Sequence, residues 1–274
     1  MLNNYLPFTD STKYQELQLV SYCLQNSEEW SCFKDVTTSL AITNYKLKQL
    51  IKNINATGLI TIDIQNRQKS FIKISDTDPV DLQKITTHAA LHSLKFKIFL
   101  HLFMNVASRT QEDLQKKEGI SAATYFRSKN ALFQSLGAEK VTMISTSEAE
   151  VRLLITNVLY MFKYDKLFNI AEVSGTIHTL TDILTSHLNL TSKQQEKFFY
   201  FCWVNYLRYR MGMTLLATDR KYFLAKDNLP EDLAFKEQLA TLLPELSNSD
   251  LEIFQRFCLS FLNPQTTQPE KILL

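Results

Sequence analysis

Three features of the sequence predict a mainly α-helical chain of two or three domains. Glycine and proline are scarce, at 5 and 6 of 274 residues. Lys, Leu, Gln and Glu are plentiful, and these side chains lose little freedom in a helix. Apolar residues recur at helical spacing along most of the chain, and strict alternation is confined to short stretches. The apolar share of 45% is enough for a real core.

The elements follow in order. Ser11 to Gln25 reads as a helix with Tyr14, Leu17, Leu19, Val20 and Leu24 as its apolar positions. A short helix is expected from about Ser31 to Leu40, then a turn at Ala41 and Ile42. Thr43 or Asn44 can cap the next helix, which runs to about Asn55 before Gly58. Its pattern directs Tyr45, Leu47, Leu50, Ile51 and Ile54 toward a core. Thr43, Asn44, Lys46, Lys48, Gln49 and Lys52 are left for other faces. Two alternating runs, LITIDIQ and KSFIKIS, then flank Asn66-Arg67 and read as a β-hairpin.

Helix, short turn, helix, hairpin is the order of a winged helix. In such a unit the second helix enters the major groove of DNA and the hairpin tip reaches the backbone. Arg67 and Lys69 at that tip suit phosphate contact. A small α+β domain used for protein contacts is the alternative.

A second unit repeats the logic. DLQKITTHAALHSLKFKIFLHLFMN is expected as two helices broken near Ser93. Thr110 to Lys117 forms a further helix, EGIS a turn on Gly119, and Ser121 the cap of the next helix. Ala122, Ala123 and Thr124 are small where a helix would enter a groove. Tyr125, Arg127, Ser128 and Lys129 are expected to contact bases or phosphates, and Phe126, Leu132, Phe133 and Leu136 to lie in the core. KVTMIS is expected as a short strand, a reduced wing. A helical hairpin packed on another domain is the bland counterpart.

Charge follows the same division. Ser31 to Ile74 carries seven basic and two acidic residues, net +5; Lys95 to Ser147 carries eight and four, net +4. Glu148 to Leu262 carries twelve basic and fourteen acidic residues, net −2. Basic blocks on helices suit phosphate binding, which the chain's total of +2 conceals. Within the acidic half, helices are expected at about 148–164, 176–188, 192–211, 231–243 and 248–262, with a polar tail from 263 to 274. The aromatics of TSKQQEKFFYFCWVNYLRYRMG fall at helical spacing and read as core or interface.

The order of two winged-helix units, the GISAATYFRSKNAL helix and the EAEVRLLITNVLYMF helix resembles the Mga family. These are virulence and carbon-linked transcription regulators of Gram-positive bacteria. The resemblance runs to about Leu262. It implies winged helix-turn-helix domains at 1–75 and 76–147 and a helical regulation domain of the sugar phosphotransferase type at 148–262. The family's second regulation domain and its domain like a sugar-transport IIB subunit have no counterpart in these 274 residues. The resemblance further implies double-stranded DNA as partner, self-association as a homodimer or higher, and histidine phosphorylation by a phosphocarrier protein. His178 and His187 lie in the regulation-like stretch and are the candidate phosphoacceptors. Where the family often has another histidine, near the end of the long helix, this sequence reads RYRMGM.

Other functions find little footing. No P-loop, GxSxG or Cys-His signature is present, so no enzyme activity and no cofactor are expected. His88 and His92 are four apart, but no HExxH pattern or third ligand accompanies them, so no metal is expected. Cys23, Cys32, Cys202 and Cys258 are far apart and read as reduced thiols on apolar faces. The N-terminus MLNNYLPFTD has no signal-peptide pattern, and polar residues break every apolar stretch short of a membrane span. The expectation is a cytoplasmic DNA-binding transcription regulator, an activator. A helical protein-interaction module is the second choice.

Overall fold

A computed structural model describes residues 2–66, 68–75, 81–104, 110–164, 171–186, 190–215, 219, 233–244 and 246–262. The chain is mainly helical with one small sheet. A 3-10 helix at Leu2–Phe8 leads to α1 (Ser11–Gln25), β1 (Ser31–Cys32), α2 (Phe33–Ser39), α3 (Asn44–Asn55), β2 (Ile62–Asn66) and β3 (Ser70–Ile74). Then come α4 (Leu82–Leu91), α5 (Leu94–Phe103), α6 (Gln111–Glu118), α7 (Ala122–Leu136) and α8 (Ala138–Thr146). The series closes with α9 (Glu148–Met161), α10 (Ala171–Ser186), α11 (Ser192–Arg210), α12 (Leu233–Leu242) and α13 (Asn248–Leu262). Two compact units divide these elements. One holds Met1–Phe99 with Ala123–Ser135, the other Leu100–Ala122 with Leu136–Leu274. Among the described residues no helix is long and apolar enough to cross a membrane.

The core of the first unit is aliphatic. Leu17, Leu19 and Val20 of α1 meet Val36 of α2 and Leu47, Leu50, Ile51 and Ile54 of α3. The α3 residues recur at i, i+3, i+4 and i+7, one face of a helix. Thr43 caps that helix by accepting a hydrogen bond from the Lys46 amide at 3.1 Å. Before the cap, Ala41 turns the chain with φ of 50°, a left-handed conformation unusual for a residue with a Cβ.

The sheet is antiparallel in the order β1-β3-β2. Ile62 pairs with Ile74 and both are buried, while Asp63 pairs with Lys73 on the other face. The first strand was not anticipated: Ser31 and Cys32 belong to the sheet, opposite Ile72 and Phe71, and the expected helix begins only at Phe33. Two residues are too short a run for alternation to reveal a strand.

KVTMIS is a second departure, since it lies within α8 and forms no strand. Its β-branched residues favour a strand, yet tertiary context overrides that weak preference. Val141 and Ile144 stand three apart, so a helix turns both to one side, and Ile144 is buried. The hydroxyls that would crowd a helix are satisfied within it. Thr142 donates to the Ala138 carbonyl at 2.9 Å and Ser145 to the Thr142 carbonyl at 2.8 Å.

In the second unit α9 is buried on nearly all sides, and it carries charge into that interior. Glu148 is the centre. Arg208 of α11 meets its carboxylate through two nitrogens, at 2.8 and 2.5 Å, and Arg152 through Nε at 2.9 Å. Arg152, 0% exposed, also donates to Asn205 Oδ1 at 2.7 Å and to the Met213 carbonyl at 2.5 Å. Its guanidinium lies 4.1 Å from the centre of the Tyr209 ring. Arg208 Nη1 donates to the Phe103 carbonyl at 3.0 Å, satisfying an acceptor at the end of α5. Nearby, Lys140 pairs with Glu150 at 2.9 Å, and the Ser147 hydroxyl donates to Asp219 at 2.5 Å.

Aromatic rings pack into the core of this unit beside aliphatic residues such as Leu154, Ile155, Val204 and Leu251. Phe201 stacks on Phe261 at 4.1 Å and meets Phe257 at 5.1 Å. Cys202 and Cys258 are buried in it, and burial pushes the Cys202 thiol up to about 12.

Replacing Glu148 by Ala leaves two buried guanidinium groups without their shared counter-charge. The expected loss is about 3–5 kcal/mol in urea unfolding, with a smaller loss for Glu148→Gln, which keeps an acceptor.

Candidate nucleic-acid interface

The face of α3 opposite the core carries the candidate site. Tyr45, Lys48, Gln49 and Lys52 are all exposed and recur at i, i+3, i+4 and i+7. They form one stripe. Thr43 and Asn44 stand exposed at its N-terminal end. Within the stripe the Gln49 amide donates to the Tyr45 hydroxyl at 3.4 Å.

Tyr45 corrects an expectation. It was assigned to the core beside Leu47, but it is 75% exposed. Two residues on a helix are turned about 200° from each other, so Tyr45 and Leu47 cannot share a face. Lys46 stands apart from the stripe. It is half-buried on the flank, and its ammonium lies 3.5 Å from the Thr12 hydroxyl of α1. Asn53, seven residues on along the same flank, donates to Glu16 of α1 at 3.0 Å. Both contacts link this flank of α3 to α1.

At the hairpin end Lys69 is exposed in the bend between β2 and β3, and Ser70 donates to Asn66 at 2.9 Å across it. Arg67 lies outside the described residues.

The second candidate helix, α7, sorts its residues differently from the expectation. Its exposed stripe is Ala123, Phe126, Arg127, Asn130 and Gln134. Tyr125, assigned to a contact role, is 2% exposed, and Phe126, assigned to the core, is 48% exposed. The reason is again angular: Tyr125 shares its face with Leu132, and Arg127 points nearly opposite. Burial holds the Tyr125 phenol above its ordinary range. Arg127 is exposed, with Nη2 at 3.5 Å from the Thr124 hydroxyl. Ser128 and Lys129 are half-buried on the flanks, and Ser121 and Ala122 are exposed at the helix start.

The preceding helix α6 carries a complete capping box. The Thr110 hydroxyl accepts from the Asp113 amide, and the Asp113 carboxylate accepts from the Thr110 amide. Gly119 ends α6 at φ of 64°, a left-handed cap. Most of α7 belongs to the first unit, and α6 belongs to the second.

Of the candidate phosphoacceptors, His178 is exposed on α10 and its ring stacks on Phe199 of α11 at 4.4 Å. His187 lies outside the described residues. His88 and His92 stack at 4.0 Å, and His92 Nδ1 lies 2.9 Å from the His88 carbonyl. Burial, then the neighbouring His92, lowers the His88 pKa. Among the described residues no group of three or more His, Cys, Asp or Glu is placed to hold a metal ion.

Tyr45, Gln49, Phe126 and Asn130 are the site residues that composition and charge do not single out. The signal that finds them is the complement of the buried stripe at i, i+3, i+4 and i+7. No protein-family model and no curated protein matches the chain.

Truncation separates the two aromatic neighbours on α7. Tyr125→Ala should cost about 3 kcal/mol or more in urea unfolding, and Phe126→Ala should stay within about 0.5 kcal/mol of the parent.

Proposed function

We propose that this chain is a transcription regulator that binds double-stranded DNA, with α2, the turn at Ala41, α3 and the β2–β3 hairpin acting as a winged helix-turn-helix. The observation that carries the reading is the α3 stripe. A helix anchored by four buried aliphatics presents Lys48 and Lys52 to water beside Tyr45 and Gln49, within a segment of net +5. Such a helix offers cations to phosphates and hydrogen-bonding groups to base edges at once. Lys69 at the hairpin bend supplies a backbone contact beside the groove. The order helix, turn, helix, hairpin in the first unit supports the same reading; the likeness to the Mga family is partial, since 140–145 is helical and gives no second wing. The same proposal makes the chain an activator that works in the cytoplasm and self-associates. The helices from α9 onward then act as the regulation domain.

A different observation favours a second reading for α7. Its exposed stripe has one cation, Arg127, next to the apolar ring of Phe126, a composition closer to a protein contact than to a phosphate grip. On that reading only the first unit holds DNA, and α7 meets a protein partner.

Binding to mixed-sequence duplex is measured across a salt titration with the parent, Lys48→Ala and Arg127→Ala. Lys48→Ala should weaken binding roughly tenfold and reduce the salt slope by about 1, as the loss of one phosphate contact requires. An equal effect of Arg127→Ala places α7 on DNA, and no effect assigns it to protein. Absence of any shift by the parent at low salt removes the DNA reading altogether.

Regulation through histidine is the remaining part of the proposal. The exposed ring of His178 can take a phosphoryl group without unfolding α10, and the added charge would disturb its stacking on Phe199. Phosphoenolpyruvate with the phosphocarrier system should label the chain, and His178→Ala should reduce the label. An unlabelled parent chain ends this part of the reading.

A further inference from the structure

We infer that Gln49 and Tyr45 form a base-reading pair, with Gln49 recognising the adenine of an A·T pair in the major groove of B-form DNA. This rests on the DNA-binding reading above. Gln49 stands one turn after Tyr45, and its amide nitrogen donates to the tyrosine hydroxyl at 3.4 Å. That bond uses one of the two amide N–H groups. The second N–H and the amide oxygen are then left for a base edge. Adenine presents N7 as acceptor beside its N6 amino donor in the major groove, the complement of one amide N–H and one amide oxygen.

The lysines of the stripe cannot do this. Lys48 and Lys52 have only donors, so they cannot accept from the adenine amino group; they suit phosphates or the paired acceptors of guanine. Tyr45 lies in the first turn of α3, where recognition helices approach base edges. Accepting from Gln49 leaves the tyrosine its own proton, which it can donate to a phosphate. The occupant is double-stranded DNA because the segment's net charge of +5 complements a polyanion.

The test is selection of bound sequences from a randomised duplex pool by the full chain, Gln49→Ala, Tyr45→Phe and Lys48→Ala, each checked for helix content by circular dichroism. The parent should favour A·T at a defined position. Gln49→Ala should lose roughly tenfold in discrimination there and keep its other preferences. Tyr45→Phe should lose part of the same preference, and Lys48→Ala should bind more weakly with the preference intact. A Gln49→Ala chain that binds with every base preference unchanged overturns the pair. A parent chain that retains no duplex at low salt overturns the DNA-binding reading, and the pair with it.

Discussion

The two-faced character of α3 is the constraint on which the candidate interface depends. A helix advances about 100° per residue, so burying Leu47, Leu50, Ile51 and Ile54 obliges Tyr45, Lys48, Gln49 and Lys52 to face water. Burial of each aliphatic side chain is worth about 1.5–3 kcal/mol, far more than any single exposed contact on the opposite face. The core therefore decides where the cations stand. The flank contacts of Lys46 with Thr12 and Asn53 with Glu16 are compatible with that rotation against α1.

The second unit is organised by a different balance. Three carboxylates, Glu148, Glu150 and Asp219, are taken out of water, and each has a named polar partner. Burying an ion pair brings little net stability, because desolvation offsets most of the attraction. What such a cluster supplies is specificity of arrangement. Glu148 can satisfy Arg152 and Arg208 only when α9 and α11 hold one register, and Arg152 then reaches Asn205 and the Met213 carbonyl. The net charge of −2 in this half of the chain therefore describes an interior network as well as a solvated surface.

Much of the helical framework was legible in the residues. The bounds of α1, α3 and α11, the break at Ser93 and the left-handed end of α6 at Gly119 all follow from caps, breakers and periodicity. The candidate site was legible in part. Lys48, Lys52, Lys69 and Arg127 are exposed as expected of contact residues. Tyr45 and Tyr125 were each given the wrong face, because an aromatic ring is equally at home in a core and at an interface. Only the angular positions of their neighbours separate the two cases.

By itself the sequence determined most of the helical segments, the bounds of those with clear caps and breakers, and which half of the chain is basic. Those properties depend on residues within one or two turns of each other. Tertiary structure alone decided that Ser31 and Cys32 pair with β3, that 138–146 is a helix, and that Tyr125 is inside while Phe126 is outside. It also turned Lys46 toward α1 and buried Glu148 between two arginines. Each of these outcomes depends on a partner distant in the chain. Local periodicity gives the angle between two side chains on a helix, and only the packed neighbour determines which side of that angle meets water.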